Sequence, residues 1–347
     1  MFTQFQIENF RNIAQATLQF SSGFNLIVGD NGAGKTSILE AMAFLARGQS
    51  YRTTKISSLI KEQCDYFQLL ARLDSGEVLG LRRSASEMTA RMNGLAVTKQ
   101  SAIAQCIPLY FISPGSHELI EGGPEYRRRF IDWGVFHLEQ GYSKLMQEFR
   151  RTLKQRNAAL QSNNPTSPWD SGLIRCVEKI DKIRKAYVEK ITPLLLGNFN
   201  HLTDMDGISL SYHPGWRQGE EYAEQLTEKL AIDRERGFTS IGPHRADLMI
   251  KVDGVLAREY LSRGQQKLAV IALILSQAAL SSQHKIPLLL IDDLASELDK
   301  SHQLKLLHLI GESECQTVIT STSNDMFEGN DQATMFHVEH GSVASMG

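Results

Sequence analysis

The chain has 347 residues, 42% apolar and 22% charged, with a net charge of −2 at pH 7. This is the composition of a soluble globular protein, which excludes whole-chain disorder, and the near-zero charge excludes a uniformly basic nucleic-acid coat. The longest apolar runs, Leu268–Leu275 and Ile286–Ile291, fall well short of the roughly 20 residues of a membrane span.

No charged-then-apolar leader pattern opens the chain. The four cysteines, Cys64, Cys106, Cys176 and Cys315, are too scattered for a disulfide framework or a metal site, so reduced thiols in the cytoplasm are expected. The net charge conceals an asymmetry. Residues 1–120 carry 11 Lys+Arg against 9 Asp+Glu, residues 121–200 carry 14 against 9, and residues 201–347 carry 12 against 21. A basic middle beside an acidic last third fits either a localised nucleic-acid surface or a solvated helical face.

Apolar patterning predicts strands over Phe2–Phe10, Ala14–Phe20 and Phe24–Val28, then a helix over Ser37–Ala46. Alternation over Phe67–Leu73, Val78–Arg83 and Met88–Met92, punctuated by Asp74-Ser75-Gly76 and Asn93-Gly94, predicts an antiparallel meander. Residues 124–160 carry apolar positions at helical spacing (Phe130, Trp133, Leu138, Leu145, Phe149, Leu153). A second helical pattern runs from Ile174 to Ile191 and is expected to stop at Pro193 and Gly197. Joined by the Pro-rich stretch 162–168, the two form an antiparallel helical hairpin. A third helix is expected over Glu220–Arg236, with Gly237 beyond its end. Then come a hairpin (Leu248–Val252, Val255–Tyr260), a helix from about Leu261 to Ser281, a buried strand over Pro287–Ile291, a helix over Leu304–Ile310 and a strand over Thr317–Thr320.

The strongest chemical signal is Gly29-Asp30-Asn31-Gly32-Ala33-Gly34-Lys35-Thr36-Ser37, between a strand and a helix. Its glycines let successive backbone N–H groups wrap a phosphate, and the helix presents its N-terminal dipole to the same anion. In this P-loop pattern Lys35 reaches the β- and γ-phosphates and the Thr36 hydroxyl ligates Mg²⁺. The apolar strand ending in Asp292-Asp293 supplies the complementary Walker B acids: Asp292 for the Mg²⁺ shell, Asp293 as the base that polarises the attacking water. Leu261-Ser262-Arg263-Gly264-Gln265 resembles the ABC-type signature, which opens a helix able to bind the γ-phosphate held by a second subunit, with Ser262 contributing its hydroxyl. Ser296-Glu297-Leu298-Asp299 resembles the D-loop that crosses such an interface.

Beyond these motifs the chain carries Asn9-Phe-Arg-Asn12, Ser50-Tyr-Arg-Thr53, Glu125–Asp132 and Gly237–Arg245. With them it resembles, over nearly its whole length, the RecF family of bacterial recombination-mediator ATPases related to SMC heads. The resemblance implies an α/β fold: an ABC/SMC-type P-loop ATPase head with an antiparallel β meander, formed by residues 1–121 and 238–347 and split by an inserted α-helical lever-arm domain, 122–237. It implies ATP and Mg²⁺ as cofactors, ATP-dependent homodimerisation and weak DNA-stimulated ATP hydrolysis. It also implies binding to duplex DNA near single-strand gaps, and work with RecO and RecR in RecA loading during replication repair and SOS induction. Arg11 and Arg52 match segments whose arginines contact nucleotide phosphates in this superfamily. For DNA, the basic residues of the helical hairpin are the candidates: Arg127, Arg128, Arg150, Arg151, Lys154, Lys182, Arg184 and Lys185, of which only those sharing a face can meet one backbone.

The pattern also departs from its relatives. Arg263 stands where transporters carry glycine, Ala246 stands where a second acidic residue is expected beside Asp247, and no switch histidine follows the strand that ends in Thr320-Ser321-Thr322. Asp293 replaces the glutamate of transporters and is one methylene shorter, so turnover is expected to be slow. Two other readings share the motifs: a DNA scaffold gated by ATP without hydrolysing it, and the nucleotide-binding subunit of an ABC transporter. The helical hairpin and the missing histidine weigh against the transporter. Two arms of about 37 residues each are too short for a chromosome-organising SMC coiled coil.

Overall fold

The computed structural model describes residues 1–97, 100–293, 298–323 and 333–346. It divides into two units, Met1–Ser116 with Ile271–Gly347, and His117–Val270.

The first unit contains two six-stranded sheets. One is the expected meander, built from β1 (Phe2–Phe10), β2 (Ile13–Gln19), β4 (Tyr66–Leu73), β5 (Val78–Ser84), β6 (Met88–Met92) and β7 (Leu95–Ala96), in the order β2-β1-β4-β5-β6-β7. Period-two alternation puts Phe5, Ile7, Phe67, Leu69, Ala71, Leu79 and Leu81 on its buried face. A register shift between Phe2 and Gln4 brings Phe2 inward as well. Asn93 (φ +52°) and Gly94 (φ +80°) close the β6–β7 turn with two left-handed residues, as a tight hairpin requires.

The second sheet is formed by β3 (Phe24–Val28), β8 (Leu109–Ile112), β12 (Leu288–Ile291), β13 (Gln316–Ser321), β14 (Thr334–Glu339) and β15 (Ser342–Met346), ordered β15-β14-β3-β13-β12-β8. All neighbours are parallel except β14 and β15. The strands β12 and β13 are buried at every position, as a parallel sheet covered on both faces demands. Helix α1 (Lys35–Arg47) belongs to the same hydrophobic cluster as both sheets, its Phe44 ring edge-on to Phe67 at 5.2 Å between centroids. Helices α2 (Gln100–Cys106) and α11 (Lys300–Glu312) complete this unit. Strand β8 and the β14–β15 hairpin lie outside the sequence reading: β8 is a four-residue apolar run, too short for periodicity to type.

The second unit holds α3 (Glu118–Glu121), α4 (Pro124–Leu138), α5 (Tyr142–Gln161), α6 (Ser167–Thr203), α7 (Tyr222–Glu228), α8 (Leu230–Arg236) and α9 (Ala257–Tyr260), with a three-stranded sheet of β9 (Ile208–His213), β10 (Asp247–Val252) and β11 (Val255–Leu256). Helix α10 (Arg263–Ser282) starts in this unit and ends in the first. The hairpin α5–α6 forms as expected, but four local expectations need correction. The pattern over 124–160 breaks at Gly141 (φ +89°), which begins α5. Helix α6 runs through Pro193 to Thr203, because burial of Leu195, Phe199 and Leu202, at about 1.5–3 kcal/mol per side chain, outweighs a proline cost of about 3 kcal/mol. The helix expected over Glu220–Arg236 divides at Lys229, and the strand expected over Val255–Tyr260 gives way to α9 after two residues. Residues 238–270 cluster with the helices rather than with the head, because β10 pairs with β9, which directly follows α6. The expected boundary at 237/238 therefore falls inside the second unit.

Polar groups organise this unit's interior. Arg156, fully buried, donates to Asp170 (2.8 Å), Asp233 (3.0 Å) and the Thr239 hydroxyl (2.7 Å), and so joins α5, α6, α8 and the segment after α8. Arg156→Ala leaves the buried Asp233 carboxylate without its cation. It is expected to cost about 3–5 kcal/mol in urea unfolding; a loss below about 1 kcal/mol would show that the network carries no stability.

Candidate nucleotide-binding site

Strand β3 delivers the glycine loop to the start of α1. Gly32 (φ +82°) and Gly34 (φ +124°) occupy backbone conformations that side-chain-bearing residues rarely adopt. A Cβ on Gly32 would enter open space, so its φ and not packing demands glycine there. Gly29 is glycine for the opposite reason: a Cβ there would lie 2.2 Å from the Val338 carbonyl oxygen. Lys35 is buried and donates to the carbonyls of Gly29 (2.6 Å) and Asp30 (3.0 Å). Burial lowers its pKa, against the opposing pull of Asp293, Asp292 and Asp30.

The Thr36 hydroxyl donates to Asp292 Oδ1 at 2.9 Å, across 256 residues of sequence. The same oxygen accepts from the Thr320 hydroxyl at 2.8 Å, and Thr320 Oγ1 accepts the Asp293 amide at 2.8 Å. The topology explains this convergence: β13 lies between β3 and β12, so Thr320 sits between the loop and the Walker B acids. Burial raises the Asp292 pKa and the two threonine hydrogen bonds oppose it. Asp293 is held at φ +53°. A hydroxyl and a carboxylate meeting at the mouth of a glycine-lined anion cradle is the oxygen donor set that suits Mg²⁺ with a nucleotide phosphate. Thr320, at the end of the strand that lacks a switch histidine, is committed to the two acids.

A second layer escaped the sequence reading. Two left-handed non-glycine residues, Asn9 (φ +55°) near the end of β1 and Arg11 (φ +56°) in the β1–β2 turn, shape this connection. It places the Asn12 carboxamide on the loop: Nδ2 donates to the Ala33 carbonyl (3.0 Å) and Oδ1 accepts from the Ser37 hydroxyl (3.0 Å). Arg11 forms a two-pronged pair with Glu40 (2.9 and 2.8 Å) and donates to the Ser58 carbonyl (2.9 Å). Glu40 is fully buried and also receives the Ser50 hydroxyl and, at 3.5 Å, Arg52. Arg11, expected on a phosphate, thus spends its guanidinium on Glu40; Arg52 is more exposed, and its guanidinium makes the longer contact with Glu40. The sequence signal for Glu40 was a lone acid inside an otherwise apolar helix.

The signature residues open α10. The Ser262 hydroxyl accepts the Gln265 amide (3.3 Å) while the Gln265 side chain accepts the Ser262 amide (2.9 Å), a reciprocal cap that leaves Ser262, Arg263 and Gly264 exposed. Of the D-loop, Ser296 and Glu297 lie outside the described residues. The Leu298 carbonyl accepts from Gln303 (2.6 Å), and Asp299 caps α11 by accepting the His302 amide (3.1 Å). Among the hairpin cations, the expectation for Arg127 and Arg184 is corrected. Arg127 is buried on Asp247 (2.7 and 3.0 Å) and the Gly122 carbonyl. Arg184 is 1% exposed, on Asp132 and the Pro243 carbonyl. Neither can reach a DNA phosphate without breaking a buried ion pair. Arg128 donates to the Ala246 carbonyl (2.8 Å), whereas Arg150, Arg151, Lys154, Lys182 and Lys185 are exposed, Lys185 beside Asp181. Ala246 is fully buried, a place where an unpaired acid would be costly.

The Thr320 network yields a test. Thr320→Val leaves the Asp293 amide and an Asp292 oxygen short of a partner and is expected to destabilise the nucleotide-free protein by about 1–3 kcal/mol in denaturant unfolding, with Thr320→Ser restoring most of it. Equal stability of Val and wild type would contradict the network.

Comparison with known proteins gives the family. Residues 1–344 match the family described as RecF/RecN/SMC N terminal domain. The DNA replication and repair protein RecF of Hydrogenovibrio crunogenus is 40% identical, over 98% of both chains. That of Shewanella piezotolerans is 40% identical, over 97% of both. Among solved structures, the recombination mediator protein RecF-ATP of the RecFOR pathway superposes with a TM-score of 0.88 at 27% identity, covering 100% of this chain and 97% of that one. An Smc head bound to the C-winged helix domain of ScpA, at 18% identity and a TM-score of 0.63, shares the fold. This chain is therefore a member of the RecF family, within the larger group of SMC/ABC-type head proteins.

Proposed function

We propose that the protein is an ATP-gated DNA clamp of recombinational repair. The observation that carries the reading is the Thr36–Asp292 hydrogen bond, which joins the glycine loop to the Walker B acids in one donor set. Relatives of 40% identity named as DNA replication and repair proteins support it, as does a superposable RecF bound to ATP.

In this reading the loop backbone from Gly29 to Ser37 and the Lys35 ammonium bind the ATP phosphates. Thr36 and Asp292 would hold Mg²⁺, which when bound neutralises developing phosphate charge. Asp293, with its backbone pinned by Thr320, takes the proton of the attacking water. The exposed end of α10, with Ser262, Arg263, Gly264 and Gln265, closes over the nucleotide of a second copy. The D-loop, including Leu298 and Asp299, lies along the same interface. ATP drives dimerisation because it has more contacts in the closed pair than in the single chain. Closure brings two sets of exposed cations to duplex DNA near single-strand gaps, where RecO and RecR act with the clamp in loading RecA. Hydrolysis is weak and DNA-stimulated, and the work is cytoplasmic. Among the described residues no helix is long and apolar enough to cross a membrane.

Sedimentation velocity at micromolar protein tests the clamp. Wild type with saturating Mg–ATP is expected to sediment as a dimer and Lys35→Met as a monomer; monomers in both would refute the sandwich. Turnover is expected below about 1 s⁻¹, under the typical median of about 10 s⁻¹, and a steady-state rate in the tens per second would contradict the weak-ATPase reading. For DNA, the slope of log affinity against log salt is expected to shrink by about 0.9 for each phosphate contact removed in an Arg150, Arg151 and Lys154 triple alanine variant. An unchanged slope would clear that face of any role.

A further inference from the structure

Tyr51 sits between the two halves of the nucleotide site. Its chain neighbours Ser50 and Arg52 both reach Glu40, one turn beyond Thr36 on α1. Its ring packs on Phe111 at 4.1 Å between centroids. Phe111 lies opposite Leu290 in the β8–β12 pair, and the next residue, Ile112, accepts the Asp292 amide at 2.9 Å. The ring is thus bracketed by the helix that follows the glycine loop and by the strand end that carries Asp292.

The phenolic oxygen at the tip of this ring is buried and has no hydrogen-bond partner among the described residues. Ring packing accounts for an aromatic side chain here, but phenylalanine would serve packing equally. A buried hydroxyl without a partner costs free energy that a phenylalanine avoids, so the hydroxyl needs a partner that the chain does not supply. Burial above all, with the Asp292 and Glu40 carboxylates behind it, pushes the phenol's pKa up. The group therefore keeps its proton at neutral pH and acts as a donor.

We propose that the Tyr51 hydroxyl is a hydrogen-bond donor to an oxygen that arrives beside Asp292 with the nucleotide, carried either by the terminal phosphate or by the water that attacks it. The inference rests on the ATP-hydrolysis reading above and adds to it a donor that no motif names. A donor already in place where negative charge develops stabilises the transition state more than the ground state.

The test is Tyr51→Phe beside wild type. The measurements are the melting temperature without nucleotide, the affinities for ADP, for a non-hydrolysable ATP analogue and for ADP–aluminium fluoride, and the single-turnover cleavage rate. The variant is expected to melt at the same temperature or higher, to bind ADP within about twofold of wild type, and to cleave ATP about tenfold more slowly or worse, the loss that one hydrogen bond to a charged group brings. If the acceptor is the terminal phosphate, affinity for the ATP analogue falls with the rate. If it is the attacking water, that affinity holds and only ADP–aluminium fluoride binding weakens. An unchanged rate with unchanged affinities overturns the proposal. So does a lower melting temperature with equal losses for ADP and the ATP analogue, which marks a supporting role for the side chain. A wild type that binds ATP without cleaving it sinks the hydrolysis reading instead, and the analogue affinity alone then decides the role of Tyr51.

Discussion

The hydrogen bond between Thr36 and Asp292 is where the first unit's architecture becomes a site. It can form only if β3 and β12 flank β13 in a parallel sheet, so that all three strands deliver their ends to one edge. Loops at that edge of an open parallel sheet collect ligands because backbone amides, helix N-termini and strand-end carboxylates converge there. The surrounding structure tightens the arrangement. Gly29 lies against the Val338 carbonyl with no room for a side chain, and the β1–β2 turn clamps both the loop, through Asn12, and the helix behind it, through Arg11 and Glu40. The loop is thus held from the meander as well as from its own sheet. Positive φ angles at Asn9 and Arg11 are the local cost of aiming that turn, an expense concentrated where the site needs it.

Arginine does most of the internal electrostatic work in both units. Arg11 neutralises a buried glutamate in the first, while the buried Arg127, Arg156 and Arg184 pair with Asp247, Asp233 and Asp132 in the second. Its planar fork suits two-pronged pairing, and removing one partner of such a pair is far costlier than the pair's net contribution. This changes what the charge asymmetry means. The excess of cations over residues 121–200 contains at least three arginines that are structural. The surface available to a polyanion is the smaller set carried outward by α5 and α6.

The head's chemistry was legible because it depends on local patterns: glycines at fixed spacing, an apolar strand ending in two acids, a serine with glutamine three residues on. Those motifs named Lys35, Thr36, Asp292 and Ser262 as candidates from the chain alone; that Thr36 meets Asp292 and that Ser262 caps α10 came only with the fold. Residues that act through long-range packing were not legible. Nothing near Asn12 announces a contact with Ala33, and Glu40 reads as an isolated acid until the fold brings Arg11 and Ser50 to it. The same limit explains the misplaced cations, because Arg127 and Arg150 look alike in sequence and differ only in whether an acid such as Asp247 lies within reach. Pro193 shows the converse: a strong local stop signal lost to the burial of the helix beyond it. The second unit's sheet was half visible, since β10 and its Asp253-Gly254 turn carry a hairpin signature while β9 has none.

The central claim is that Asp292 and Asp293, adjacent in sequence, divide two tasks, one holding the metal and the other serving the water. Calorimetric titration of Mg–ATP into Asp292→Asn and Asp293→Asn measures this most directly. The account predicts that Asp292→Asn loses the Mg²⁺-dependent part of ATP affinity, while Asp293→Asn binds Mg–ATP as wild type does and leaves it uncleaved. Equal affinity losses in the two variants, or none in Asp292→Asn, would contradict it.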